Sequence, residues 1–151
     1  GGGRMRWYPG NSAEYRFNHI LNVVELSAEI AEAEGANVDI TRVAALFHDI
    51  AKLEVEQDAH AEEGARLARE YLTAHCDYPD SFTDQVCTAV RDHSYQGDLT
   101  NLPLETQCLV EADVLDKVGA TAAALILLRM GYDSRTHMDA AEIVGRLLER
   151  G

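Results

Sequence analysis

Apolar residues recur along this chain at the three- and four-residue spacing of amphipathic helices. No stretch of useful length alternates between apolar and polar residues as a strand does. The clearest stripe consists of His19, Val23, Leu26 and Ile30. The pattern predicts helices at about residues 12–34, 39–52, 58–75, 79–94, 104–118, 120–130 and 136–150. The predicted fold class is therefore all-α, a compact bundle of about six to seven helices.

Residues with capping side chains mark several of the predicted helix ends. Ser12 and Asp39 are suited to accept hydrogen bonds from the first backbone amides of the first and second helix, and Gly35 is a natural stop for the first. Capping-box patterns at 81–84 and 136–139 open the fourth and the last helix. The second helix is expected to continue to residue 52.

We expect one domain in residues 11–151, and we interpret residues 1–10, which begin with three glycines, as a cloning remnant followed by an N-terminal tail. A chain of 151 residues is of the usual size for a single domain. The longest apolar run, 120–128, is too short to span a bilayer, so no membrane partner is expected.

The charge of the chain disfavours nucleic acid as a partner. It carries 13 basic and 26 acidic residues, a net charge of −13, which repels a polyanion. Between Asp92 and Asp116 lie six carboxylates and no Lys or Arg, either as a solvated acidic face or as charge partly offset by divalent cations. Three cysteines without a CxxC pair, and no signal-peptide pattern, favour a reducing, cytoplasmic location.

Polar groups fall on the apolar faces of four predicted helices. These groups are the side chains of His19, His48, Asp49, His93 and Asp113. An ionised carboxylate buried without a partner is costly, and a divalent metal ion between the carboxylates and imidazoles would offset that cost. Singly, each residue has an ordinary interpretation as a hydrogen-bonded core residue or a salt-bridge partner. Together they indicate a metal site, because Asp49 is expected in mid-helix, where Asp has poor propensity and caps nothing.

Five segments carry a resemblance to a known family. They read FNHI at 17–20, LFHDIAK at 46–52, HAEEGA at 60–65, DHS at 92–94 and EADVLD at 111–116. In this order they resemble the HD superfamily of metal-dependent phosphohydrolases, and its small stand-alone bacterial members in particular. The resemblance implies an all-helical bundle of the HD-domain type that holds a metal ion through His19, His48, Asp49 and Asp113.

Five more positions are candidates, and three of them match the family pattern. His60 and His93 stand where family members with dinuclear sites have additional histidines, and they would otherwise contact substrate phosphate. Lys52 resembles the lysine that faces the phosphate, or is a cation favoured at a helix C-terminus. Arg91 is a weaker candidate for the same task. Asp116 is either an acceptor for a ligand histidine or a surface charge.

The resemblance implies hydrolysis of a phosphate ester or anhydride in a small phosphorylated substrate, a nucleotide in the first place. One or two divalent ions (Mn, Fe, Ni, Co, Zn or Mg) would activate water, Asp113 or a nearby carboxylate would accept its proton, and Lys52 would stabilise the developing charge. The signatures of alarmone hydrolases and of cyclic-dinucleotide phosphodiesterases are missing, and about 38 residues follow Asp113, fewer than in many relatives. The substrate and the oligomeric state therefore stay open.

Two other functions fit the same residues. The order of histidines and aspartates also resembles HD-fold diiron oxygenases, which need both additional histidines. A non-catalytic module that keeps a metal for structure or ligand sensing is the other alternative, and a closed coordination shell would favour it.

Overall fold

The computed structural model of the protein describes residues 12–56 and 59–118. In these ranges it contains no strand and five α-helices, namely α1 (Ala13–Glu34), α2 (Val38–Phe47), α3 (His60–His75), α4 (Asp80–Asp92) and α5 (Leu104–Val118), with a short 3-10 helix at Leu99–Asn101. The all-α fold class is confirmed. The tail at 1–10 and the helices expected at 120–130 and 136–150 lie outside the described residues, as does Asp58. No described helix is long and apolar enough to cross a membrane.

The first helix has the ends that its sequence predicts. The Ser12 side chain accepts a hydrogen bond from the backbone amide of Tyr15 at 3.2 Å. At the other end Gly35 adopts a left-handed conformation with φ 76°, and its amide donates to the carbonyl of Ala31. Glycine adopts this conformation without a steric penalty, which is why the helix ends there.

The second helix differs from its prediction at both ends. Its cap is Asn37 rather than Asp39, because the Asn37 side chain accepts hydrogen bonds from the amides of Asp39 and Ile40 at 3.1 Å each. The helix ends at Phe47 instead of continuing to Lys52. The expected mid-helix position of the pair at 48–49 is therefore wrong, and the pair lies in the turn that follows the helix.

A side chain contributes to this early end. Nδ1 of His48 lies 2.7 Å from the carbonyl oxygen of Ala45, so the imidazole competes for an acceptor that the next helical amide would use. The chain then continues in tighter turns, with the amide of Ile50 bound to Phe47 and that of Lys52 bound to Asp49.

The capping box expected at 81–84 is not used. The fourth helix begins at Asp80, preceded by Pro79, and no side chain caps it. Asp84 instead accepts a hydrogen bond from Arg69 of α3 at 2.7 Å, so the sequence pattern was wrong about the partner of this carboxylate. The ion pair lies on the exposed surface, where such pairs add little stability.

Small residues bring the helices close together. α1 packs against α2 and α5, α3 packs against α4, and α2 also contacts α4. The buried core is rich in alanine at Ala44, Ala45, Ala68, Ala89 and Ala112, each without exposed surface, together with Val23, Val86, Val90 and Leu109. Short side chains let the helix backbones approach, so polar side chains from different helices can meet inside the bundle.

Gly64 allows α3 to approach the end of α2. A Cβ atom at this position would lie 3.3 Å from the carbonyl oxygen of Phe47, 3.4 Å from Cγ1 of Val90 and 3.7 Å from the carbonyl oxygen of His48. His60 lies one helical turn earlier, on the same face of α3. The glycine therefore helps to hold His60 against the turn that carries His48.

We expect Gly64→Val to destabilise the protein by about 1–3 kcal/mol, because the added methyl groups would overlap the α2 backbone and Val90. Ala74→Val introduces the same side chain at an exposed site in the same helix, and its lower helix propensity than alanine should cost about 0.5 kcal/mol or less. Denaturant unfolding measures both. Equal losses in the two variants would show that the close approach at Gly64 contributes nothing.

Candidate metal centre

Six histidine and aspartate side chains from all five described helices or their ends meet at one buried place. They come from α1, from the turn after α2, from the start of α3, from the end of α4 and from α5. None is more than 6% exposed, and they are His19, His48, Asp49, His60, His93 and Asp113. The structure thus brings together the four residues expected to hold one ion and the two expected near a second.

The first ligand set consists of His19, His48, Asp113 and the Oδ2 atom of Asp49. The Nε2 atoms of His19 and His48 lie 3.3 Å apart. Oδ1 of Asp113 lies 3.1 Å from Nε2 of His19 and 3.7 Å from Nε2 of His48. Oδ2 of Asp49 lies 3.6 Å and 3.8 Å from the same two nitrogens.

The second ligand set consists of His60, His93 and the other oxygen of Asp49. The Nε2 atoms of the two histidines lie 3.3 Å apart. Oδ1 of Asp49 lies 3.7 Å from Nε2 of His60 and 3.8 Å from Nε2 of His93. The carboxylate of Asp49 therefore belongs to both sets, with one oxygen directed to each.

Helix ends fix the orientation of two of these imidazoles. Nδ1 of His48 donates to the carbonyl of Ala45, and Nδ1 of His93 donates to the carbonyl of Val90, both at 2.7 Å. A carbonyl oxygen only accepts, so each Nδ1 carries a hydrogen, and Nε2 is the ring nitrogen directed into the cluster. The last carbonyls of a helix lack backbone partners, so each helix end orients the histidine beside it.

Asp116 orients His19 in the same way. Its Oδ2 atom lies 2.6 Å from Nδ1 of His19, while its Oδ1 atom accepts a hydrogen bond from Asn22 at 2.9 Å. This is the contact expected for an acceptor behind a ligand histidine. Of the two interpretations of Asp116 left open by the sequence, the structure supports this one.

The distances and the unpaired atoms fit a divalent ion. Two ligand atoms each bonded to one ion lie roughly 3.0 Å apart at a right angle and roughly 3.4 Å apart at the tetrahedral angle. In the first set the two imidazole nitrogens lie 3.1–3.8 Å from each other and from the carboxylate oxygens. Oδ1 of Asp49 and Oδ1 of Asp113 are buried and, among the described residues, make no hydrogen bond of good geometry. Inward lone pairs and such oxygens repel one another unless a positive species lies between them.

Three basic side chains lie beside the two carboxylates. Arg16 donates to Oδ2 of Asp49 at 3.0 Å, Lys52 lies 3.3 Å from Oδ1 of Asp49, and Lys117 donates to Oδ2 of Asp113. Sequence reasoning missed Arg16 and Lys117. The signal was their spacing, since Arg16 precedes His19 by three residues and Lys117 follows Asp113 by four, on the same helix faces.

These neighbours keep the carboxylates ionised. Burial would raise the pKa of Asp49, but His93, His48 and Lys52 outweigh it and hold that pKa well below its usual range. Burial likewise opposes the low pKa of Asp113, which its contacts with His19 and His48 and the charge of Lys117 maintain. Burial also lowers the pKa of Lys52, and Asp49 offsets part of that effect.

The remaining candidate lies on the surface. Arg91 is half exposed and donates two hydrogen bonds to the neighbouring Asp92, at 2.7 Å and 2.9 Å. No contact between Arg91 and the buried cluster is present in the described part of the chain. Lys52 is therefore the better placed of the two basic candidates.

A family model described as the HD domain matches residues 16–118, about two thirds of the chain and all residues of both ligand sets. The chain belongs to the HD domain family. The resemblance inferred from the sequence is confirmed, and the buried histidines and aspartates form groups that could hold a metal ion, as expected of an HD domain.

Solved structures share the fold of this HD domain. One is described as a predicted HD superfamily hydrolase from an uncultured Thermotogales bacterium, and it is 28% identical with a TM-score of 0.60 over 88% of this chain and 77% of its own. Another, Bacillus subtilis YpgQ in complex with ADP, is 21% identical with a TM-score of 0.63 over 88% of this chain and 66% of its own. At that identity the second likeness shows the fold alone.

A curated relative contains a similar segment within a longer chain. The tRNA (cytidine(56)-2'-O)-methyltransferase of Thermoplasma volcanium is 29% identical over 90 residues, which are 60% of this HD domain chain and 24% of the enzyme. The chain therefore spans about a quarter of the length of this relative.

We expect Asp49→Asn to abolish the binding of divalent ions, because Asp49 contributes an oxygen to both ligand sets. Asp39→Asn, the same change at an exposed position in α2, is the matched control and should bind ions as the wild type does. Elemental analysis after dialysis against Mn²⁺ or Co²⁺ gives the stoichiometry. Wild-type stoichiometry in the Asp49 variant would remove this residue from the site.

The pH dependence of stability should change with the metal. Burial lowers the pKa of His19, but its contacts with the carboxylates of Asp113 and Asp116 outweigh it and raise the pKa from 6.5 in the metal-free protein. A group with a raised folded pKa stabilises the protein fully below its unfolded pKa and loses that contribution as the pH rises through the folded value. We therefore expect EDTA-treated protein to lose thermal stability as the pH rises above about 6.5.

A bound ion competes with the proton for Nε2 of His19, so the stabilisation that added Mn²⁺ gives should instead increase over the same pH range. Melting temperatures measured against pH, with EDTA and with Mn²⁺, test both expectations. His19→Gln is the control, because its metal-free form should lack the loss of stability at rising pH. Parallel curves with and without the ion would argue against His19 as a ligand.

Proposed function

We propose that this HD domain is a metal-dependent phosphohydrolase, with His19, His48, Asp49 and Asp113 as the ligands of its ion. The observation that supports this most is the first ligand set, in which two imidazole nitrogens lie 3.3 Å apart beside two buried carboxylates. A divalent ion bound there would supply an activated water and polarise a phosphoryl oxygen.

The residues of the chain have distinct tasks in this proposal. Asp116 and the carbonyl of Ala45 hold the two imidazoles of the first set in position. Arg16 and Lys52 place positive charge next to Asp49, where an anionic phosphoryl group needs it. Asp113 or a nearby carboxylate was expected to accept the water proton, and the low pKa of Asp113 favours its role as a ligand over that of a base.

A nucleotide is the substrate class that we propose first. The net charge of −13 disfavours a long polyanion, whereas the few charges of a nucleotide can be offset by one ion and two basic side chains. The Bacillus subtilis structural relative was crystallised with ADP, so nucleoside diphosphates and triphosphates come first in a search for substrates.

The test is phosphate release from nucleoside mono-, di- and triphosphates and from p-nitrophenyl phosphate, with each of Mn, Fe, Ni, Co, Zn and Mg. We expect hydrolysis with at least one metal and none after EDTA treatment. Oxygen consumption by the iron-loaded protein without hydrolysis would favour a diiron oxygenase. A tightly bound ion without any turnover would favour a binding module.

The same assay tests the role of Asp116. We expect Asp116→Asn to lower activity or metal affinity by about 10- to 100-fold, because the ligand His19 loses its charged acceptor. Glu111→Gln removes one charge from an exposed position of the same helix and should have no effect. Equal effects of the two changes would reduce Asp116 to a surface charge.

A further inference from the structure

Lysine is rare in this chain, and both of its lysines lie at the candidate metal centre. Only two of the 13 basic residues are lysines, Lys52 and Lys117. Lys117 follows Asp113 by one turn of α5 and donates to its Oδ2 atom. Ion pairs elsewhere on the surface of the described helices use arginine, as Arg66 of α3 does at the same four-residue spacing. The planar fork of an arginine matches a carboxylate, whereas the ammonium of a lysine has three rotatable donors on a flexible stem. Lysine thus suits a position where a cation exchanges one anion for another.

The three cations of the centre differ in how deeply they are buried. Only 13% of the Arg16 side chain and 12% of the Lys52 side chain are exposed, whereas 43% of the Lys117 side chain is exposed. Burial lowers the pKa of Lys52, and the charges of Lys117 and Arg16 lower it further, so the three cations lie near one another. Lys117 is therefore the outermost of the three, on the solvent side of the first ligand set.

The two oxygens of Asp113 have different neighbours. Oδ1 lies 3.1 Å from Nε2 of His19, inside the first ligand set, while Oδ2 accepts from Lys117. An ion pair with one half-exposed partner adds little stability. An ion held by Oδ1 would offset the charge of the same carboxylate and so weaken its attraction for the ammonium. Lys117 can therefore leave Asp113 for a more highly charged anion at little cost.

We propose that Lys117 selects substrates with at least two linked phosphates, because it binds a phosphate that is not attacked. The proposal rests on the proposed function, which assigns the reacting phosphoryl group to the first ligand set beside Arg16 and Lys52. The next phosphate of the chain then lies further out, where Lys117 can donate a charge-assisted hydrogen bond to it. A substrate with one phosphate offers no second anion, so Lys117 stays on Asp113 and contributes nothing to its binding.

Kinetics and calorimetry compare the wild type with Lys117→Gln and Lys117→Arg. We expect Lys117→Gln to raise the KM for ADP and ATP by about tenfold or more with kcat little changed, and to leave the KM for p-nitrophenyl phosphate within about twofold. Calorimetry with AMP and with a methylene-bridged analogue of ADP should show the same contrast in Kd without turnover. Lys117→Arg keeps the positive charge and should lose much less. Circular dichroism checks that both variants fold.

The rarity of lysine makes amine labelling a direct measure of the same contact. An acylating reagent modifies Lys52, Lys117 and the N-terminal amine, and mass spectrometry of the peptides separates the three sites. With Mn²⁺ present, we expect saturating ADP to protect Lys117 several-fold more strongly than saturating AMP does.

Arg66→Gln is the matched control, because it removes a cation from an exposed ion pair of the same spacing in α3. It should change neither the KM values nor the labelling of Lys117. Equal losses of AMP and ADP binding in Lys117→Gln, or full labelling of Lys117 in the ADP complex, would overturn the role of Lys117 alone. If the wild type hydrolyses no phosphorylated compound, the proposed function fails, and the calorimetry and labelling still decide whether Lys117 holds a second phosphate.

Discussion

The burial of Asp49 between two pairs of imidazoles is the constraint on which the rest of the structure depends. A carboxylate without exposed side-chain surface stays ionised only where positive charge or hydrogen-bond donors surround it. In this protein the partners come from α1, α3, α4 and the chain following α2. The alanine-rich interfaces and Gly64 contribute to this arrangement. They let those helices approach closely enough for both carboxylate oxygens of Asp49 to have neighbours of their own. Asp49 therefore links the packing of the helices to the candidate metal site.

The same hydrogen bond orients a histidine at the ends of two helices. α2 ends beside His48 and α4 ends beside His93, and each ring donates to the carbonyl three residues earlier. The backbone gains a partner for a carbonyl that would otherwise lack one, and the ring gains a fixed tautomer with its lone pair directed inward. A histidine at a helix end thus needs no additional side chain to orient it, whereas His19, in the interior of α1, is oriented by Asp116.

Much of this fold and candidate site could be predicted because the apolar spacing is strong and the candidate ligands lie on the apolar faces. The apolar pattern predicted the bounds of α1 and α5. It also predicted that four side chains would meet, those of His19, His48, Asp49 and Asp113. The early end of α2 could not be predicted, because it involves a hydrogen bond from a ring to a carbonyl that competes with ordinary helical bonding. Lys52 and Arg91 have the same charge, and only their neighbours in space decide which one reaches the cluster.

The basic side chains also bear on which metal the site prefers. Arg16, Lys52 and Lys117 already offset much of the charge of Asp49 and Asp113, so an ion does not enter an uncompensated cluster. What an ion can offer beyond a tethered ammonium or guanidinium is a bond to several imidazole lone pairs at once. Imidazole suits Zn, Fe, Ni and Co better than Mg, which prefers oxygen ligands and keeps its waters. Under the proposed function, the imidazole nitrogens of the site therefore favour a transition metal over Mg.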